Sequence, residues 1–112
     1  MTKIIFFKDN GKYIGFEAKG HSGFGFKGKD IVCSAISVLT INTINALTEI
    51  NHEDVLVDTK DGELKVKLNS FNEESSQVLL KALVLGLEGI QEEYGRKYCQ
   101  VVYKEENANV KA

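Results

Sequence analysis

The sequence predicts an α+β domain: a two-layer sandwich in which a largely antiparallel sheet of about five strands carries two helices on one face, in the order β-β-α-β-β-α-β. Two turn signatures, Asn10-Gly11 and Lys60-Asp61-Gly62, each stand between apolar, β-branched runs, and each therefore marks a hairpin. Both hairpins are followed by a segment of helical length whose apolar residues recur near the 3.6-residue period. No proline interrupts these segments, and 112 residues suffice for one core but not for two. Residues 1–112 therefore read as a single domain.

Residues 2–8 are rich in Ile and Phe and form the first expected strand. Asn10-Gly11 then favours a type I′ turn, because both central residues must take positive φ. Residues 13–19 return as the second strand, with Ile14, Phe16 and Ala18 alternating with Tyr13, Glu17 and Lys19, one face on a core and the other in water. Residues 31–48 contain no charge and read as a buried helix. Its Val32, Ala35, Ile36, Leu39, Ala46, Leu47 and Ile50 are expected to face the sheet, with Ile41 and Ile44 widening the stripe. Many β-branched residues make its helix propensity mediocre, so tertiary contact must hold it. Residues 53–59 and 63–68 form the second hairpin, with Leu64, Val66 and Leu68 inward. Ser70-Phe71-Asn72-Glu73 has the form of a capping box and opens a helix running to Tyr94, with Gly95 as its stop. The buried stripe of that helix is Leu79, Leu80, Leu83, Leu87, Ile90 and Tyr94. Gly86 and Gly89 cost it about 1 kcal/mol each relative to Ala, which suggests that another element comes close there. Residues 98–104 form the last strand, with Cys99 in the core, and residues 105–112 a polar tail expected to fray.

One stretch carries more chemistry than a scaffold requires: residues 20–37, GHSGFGFKGKDIVCSAIS. Gly20, Gly23, Gly25 and Gly28 fall within nine residues, so the loop between the second strand and the first helix is expected to be mobile. Asp30 reads as the helix N-cap. Cys33 then falls in the first turn, where unpaired N–H groups and the helix dipole favour thiolate over thiol. His21, at the near end of the loop, is placed to fold back onto Cys33, which makes the two a candidate Cys-His dyad. Backbone N–H groups of Cys33 and Ser34 are the candidate oxyanion hole. The bland reading of Cys33 is a small buried hydrophobe in an apolar helix, leaving a non-catalytic ribosome-assembly or protein-binding module. A redox thiol lacks a resolving cysteine nearby. The run from Gly23 to Gly28 imitates a nucleotide loop, but Asp30 at that helix start would repel phosphate.

Gly-His-Ser-Gly, followed across a short glycine-rich loop by Asp-Ile-Val-Cys-Ser-Ala-Ile-Ser, resembles the ribosomal-processing cysteine proteases of bacteria. The resemblance extends over nearly the whole chain. It implies His21 as general base or acid, Cys33 as nucleophile, and Asp30 and Ser37 as supporting polar residues. The task it implies is removal of a short N-terminal extension from large-subunit ribosomal protein twenty-seven, with the cut after a pair of aromatic residues.

The remaining features narrow the function by exclusion. A formal net charge of −2 gives no electrostatic case for direct nucleic-acid binding. No apolar run long enough for a membrane span and no leader are read in the sequence, so a cytoplasmic protein is expected. Two distant cysteines fit a reducing compartment, and two histidines without clustered spacing argue against a metal site; no cofactor is expected. His52, between Asn51 and Glu53, reads as a solvated residue past a helix end. The uncharged outer face of residues 31–48 is better hidden than exposed, which leads to the expectation of a homodimer.

Overall fold

The computed structural model describes residues 1–20, 31–60, 62–70 and 73–107. Strands β1 (Thr2–Asp9) and β2 (Lys12–Gly20) meet at Asn10 and Gly11, whose φ angles of 55° and 86° are those a type I′ turn demands. Helix α1 (Ile31–Asn45) follows, continued by a π-helical turn (Ala46–Ile50), then strands β3 (Val55–Lys60) and β4 (Glu63–Leu68), helix α2 (Glu74–Tyr94) and strand β5 (Cys99–Glu105). The sheet order is β3-β4-β2-β1-β5. Its junctions are antiparallel except that of β1 with β5, which is parallel. Ile4, Phe6, Phe16, Val66, Leu68, Cys99 and Val101 from the sheet join Val32, Ile36 and Leu47, and Leu80, Leu83 and Leu87 of α2, in one buried cluster.

The even alternation expected of β2 breaks at its start. Phe7 pairs with Gly15 but Lys8 with Tyr13, so Ile14 is the extra residue of a bulge, and residues 13–16 are all buried. The bulge returns Tyr13 to the core, where its ring meets Phe6 edge-on at 5.7 Å. Tyr13 also lies beyond the β2–β4 ladder, which stops at Gly15↔Lys67, so its backbone has no strand partner on that side. The Gln77 side chain of α2 takes that place: its amide nitrogen donates to the Tyr13 carbonyl (2.8 Å) and its oxygen accepts the Tyr13 N–H (2.7 Å).

In α1 the buried positions are Val32, Ile36, Thr40 and Thr43, with Leu47 in the turn beyond. The threonines tolerate burial because their hydroxyls donate back to the Ile36 and Leu39 carbonyls, at 2.9 and 2.8 Å. Ile41 and Ile50, expected on the buried stripe, are instead 55 % and 72 % exposed. The π-turn explains Ile50: the Asn51 N–H reaches the Ala46 carbonyl five residues back (3.1 Å), and the wider turn rotates its own end off the stripe. The expectation that no run is long enough to span a membrane also needs correction. Residues 31–50 form a 20-residue helical segment of mean hydropathy 1.6, long and apolar enough by length and composition, although one side of it packs on the sheet.

Helix α2 begins later than the expected capping box, with Glu73 at its N-cap and no side-chain capping bond. Its first turn is served from elsewhere. Asn51 donates to Ser75 Oγ (2.8 Å) and Ser76 Oγ (3.0 Å), and Ser76 donates to the Glu53 carboxylate. Phe71 and Asn72 lie outside the described residues. At the far end Gly95, with φ 102°, stops the helix as expected. Gly86 does permit close approach: a Cβ there would lie 2.9 Å from Leu39 Cδ1 of α1. Gly89 does not, since nothing lies within 4 Å of its Cβ position. The tail expected from residue 105 starts later, because the Glu105 carboxylate accepts the Asn10 N–H (3.0 Å) and the Glu106 N–H donates to Lys8 O (2.8 Å). Residues 108–112 lie outside the described residues.

Candidate active site

Strand β2 ends at Gly20, and the local chemistry makes this a fixed point. Its φ is +92°, and a Cβ there would lie 2.5 Å from the Met1 carbonyl oxygen. The Thr2 hydroxyl donates to the Gly20 carbonyl at 3.4 Å, across the Thr2↔Gly20 pair. Gly20, expected in the flexible loop, is thus the last residue of the strand. His21 follows it in the chain. His21, Gly23, Gly25, Gly28 and Asp30 lie outside the described residues, as do the expected loop mobility and the Asp30 cap.

Cys33 is the third residue of α1 and is half-buried. In a first turn, backbone N–H groups have no acceptor four residues earlier in the same helix. One turn further on, Ser37 lies on the same side. Cys33, Ile36, Ser37, Thr40 and Ile41 of α1 face Thr2, Ala18 and Gly20 and the hairpin residues Thr59, Lys60, Gly62, Glu63 and Leu64 across a cleft of about 430 Å³. Isoleucine, alanine and leucine give it apolar walls, while Lys60 and Glu63 bring charge to the hairpin end. Ser34, expected beside the thiol as a backbone donor, is exposed and its side chain does not line the cleft.

The hairpin wall of the cleft, Thr59, Lys60, Gly62, Glu63 and Leu64, was not among the expected site residues. The pairing of Lys19 with Glu63 brings the tip of the β3–β4 hairpin to the end of β2, so a contact distant in sequence makes the second wall. No local motif announces it. The other thiol is elsewhere: Cys99 is fully buried in β5, and burial pushes it up from an ordinary 9.0 to about 11. His52 is exposed with φ 53°, past the end of the π-turn. Among the described residues no three His, Cys, Asp or Glu side chains gather where a metal could bind.

A first-turn cysteine open to a cleft with apolar walls, on a small α+β sandwich, suits a thiol-dependent protease. The chain belongs to the family described as Cysteine protease Prp, whose model matches residues 1–100, and it is accordingly a cysteine protease. It is 29 % identical over 96 residues to the ribosomal processing cysteine protease Prp of Staphylococcus aureus, a match covering 84 % of this chain and 91 % of that one. It is 26 % identical over 87 residues to the Bacillus subtilis protein of the same description, covering 72 % and 78 %. The fold agrees with the crystal structure of the essential ribosomal processing protease Prp from S. aureus in complex with a covalently linked product peptide. The TM-score is 0.87 at 26 % identity, over 93 % of this chain and all of that one.

Proposed function

We propose that this protease removes a short N-terminal extension from a large-subunit ribosomal protein, cutting after paired aromatic residues, with Cys33 as nucleophile and His21 as its acid-base partner. One observation carries the assignment of the dyad: Cys33 and Gly20 line the same cleft, and His21 is the residue bonded to Gly20. The descriptions of the relatives support the substrate class. His21 takes the thiol proton, the thiolate attacks the scissile carbonyl carbon, and the tetrahedral oxyanion collapses to a thioester as the imidazolium protonates the leaving amine. Water, deprotonated by the same imidazole, then hydrolyses the thioester and releases the extension as a free acid. The first-turn N–H groups of Cys33 and Ser34 hold the oxyanion, each such donor contributing about 3 kcal/mol in acyl transfer. Asp30 caps the helix or orients His21, and Ser37 supplies a hydroxyl one turn from the thiol.

In the same proposal the enzyme acts in the cytoplasm as a homodimer that needs no cofactor and does not grip nucleic acid directly. The face of α1 bearing Ile31, Ser34, Val38, Asn42 and Asn45 is uncharged and exposed, with Val38 at 66 %, and this supports the dimer. A monomer by sedimentation at micromolar concentration would remove it.

The deciding experiment is incubation of the intact ribosomal precursor with the protein, read by mass spectrometry. Loss of the extension at the bond after the aromatic pair is expected, and none with Cys33→Ala or His21→Ala. A precursor left whole by the unaltered protein would refute the substrate assignment.

A further inference from the structure

The two edges of the sheet differ in a way that bears on how peptide reaches Cys33. At the β5 edge the Val101 N–H donates to the Gln91 side-chain oxygen of α2 (2.7 Å), so a donor on that edge is occupied. Among the described residues nothing comparable covers the outer edge of β3. The direction of its backbone groups is set by the hairpin. The Asn69 N–H donates to the Asp54 carbonyl (3.0 Å), which extends the register that runs from Val55↔Leu68 to Lys60↔Glu63. Antiparallel bonds fall on every second pair. Leu56, Asp58 and Lys60 therefore spend their N–H and C=O groups on β4, while Val55, Val57 and Thr59 present theirs outward.

That row of groups leads into the reactive cleft, because Thr59 lines it together with Cys33. Exposed edges normally invite another strand and are blunted or covered where pairing would be harmful. Here the strand is exposed over most of its length, with Leu56 at 64 % and Val57 at 45 %. From Val55 to Thr59 it offers about 13 Å of extended backbone, at roughly 3.3 Å per residue.

We infer that the edge of β3 is a substrate-binding strand: the segment preceding the scissile bond adds to the sheet as a sixth strand, hydrogen-bonded to Val55, Val57 and Thr59. This rests on the peptidase reading above. A peptide so held is extended, which presents its next carbonyl to a nucleophile, and main-chain pairing supplies affinity whatever the side chains are. Side chains alternate across a strand, so every second one points to the helix side of the sheet, where Ile41 and Leu64 offer apolar contact in the cleft. The edge thus holds the backbone and the cleft selects the side chain.

The test separates binding from turnover. Fluorescent peptides containing the aromatic pair, each N-methylated at one amide before the scissile bond, are titrated by anisotropy against full-length Cys33→Ala protein. Expected is a rise in Kd of about tenfold at alternate amides and little change at those between, the size of one lost hydrogen bond. Val57→Pro deletes an outward N–H while sparing the β3–β4 ladder, and in the otherwise unaltered protein should raise KM about tenfold with kcat nearly kept. N-methyl effects without the two-residue period would overturn the inference, as would unchanged KM in a folded Val57→Pro variant. So would conversion of a dimer to a monomer by Val57→Pro with KM unchanged, since the edge would then belong to a second copy. The N-methyl series uses protein with β3 intact, so it decides even if Val57→Pro fails to fold. Cleavage of the precursor by unaltered protein tests the peptidase reading separately, so an aperiodic series beside normal cleavage refutes the edge alone.

Discussion

Replacing Gly20 with alanine attacks the point at which the sheet hands the chain to the stretch proposed to be catalytic, and two penalties combine there. A non-glycine residue held at φ +92° costs about 1–3 kcal/mol in backbone strain. The new Cβ would also lie 2.5 Å from the Met1 carbonyl oxygen, inside the 3.0 Å that real Cβ atoms keep, so two backbone segments must part by about 0.5 Å. The Thr2–Gly20 hydrogen bond, at 3.4 Å, is stretched further, at a loss of about 1 kcal/mol. Together these predict about 2–4 kcal/mol of destabilisation, a large part of the roughly 5–15 kcal/mol that holds a small domain. The internal control is Gly11→Ala, where φ is +86° but nothing lies within 4 Å, so strain acts alone and far from Cys33. Urea unfolding should show the larger loss at Gly20. Peptide turnover should fall by about a hundredfold in Gly20→Ala, as reacting groups move by a fraction of an ångström, and stay near normal in Gly11→Ala. Equal stability losses in the two variants, or undiminished kcat/KM in Gly20→Ala, would refute the argument that this strand end is a fixed positioning point.

Iodoacetamide at pH 7 should label Cys33 well before Cys99, since the first lies at the cleft and the second is wholly buried with its thiol pushed up to about 11; peptide mapping reads the ratio. The same shift has a thermodynamic sign. The folded state holds the Cys99 proton more tightly than the unfolded chain, so the stability it gives is full below pH 9 and is lost as pH rises to about 11. Burial raises Tyr13 and Tyr103 as well, with Glu88 adding to both, so the alkaline loss continues beyond the cysteine. Cys99→Ala should flatten the first part of the alkaline fall in urea midpoint. Gln77→Leu should cost about 2–4 kcal/mol in denaturant unfolding, because it strips the buried Tyr13 N–H and C=O of their partner at the bulge. Asp30→Asn should preserve activity if the residue is only a cap, and Asp30→Ala should not.

Where a feature depends on neighbours in sequence, the sequence disclosed it. Asn10-Gly11 specified a turn through its own φ requirement, Gly95 ended α2 through its own, and the alternation of Leu64, Val66 and Leu68 matched their burial. Features decided by distant partners stayed hidden. Nothing around Ile14 shows that β2 must accommodate a bulge, because the register is negotiated with β1 and the repair comes from Gln77. The capping box at residues 70–73 satisfied a local rule, yet the start of α2 is bonded to Asn51 and Glu53 across the fold. Of the cleft, Cys33 was singled out by its place in the first helical turn and Ser37 by the family resemblance, and both line it, one turn apart. The opposite wall, Thr59 to Leu64, was not legible, because it reaches the cleft only through the pairing of β2 with β4.

The position of β1 between β2 and β5 has a consequence for how the molecule comes into being. Thr2 contacts Gly20 on one side, and on the other its N–H donates to the Tyr98 carbonyl while Thr2 stands opposite Cys99. As the chain leaves the ribosome, the first hairpin can form within its opening residues, but its outer flank waits for the last strand. Such closure between ends makes for slow, late assembly. The rim of the cleft at Thr2 is therefore set only once β5 has been made, and a nascent copy carries an incomplete cleft until then.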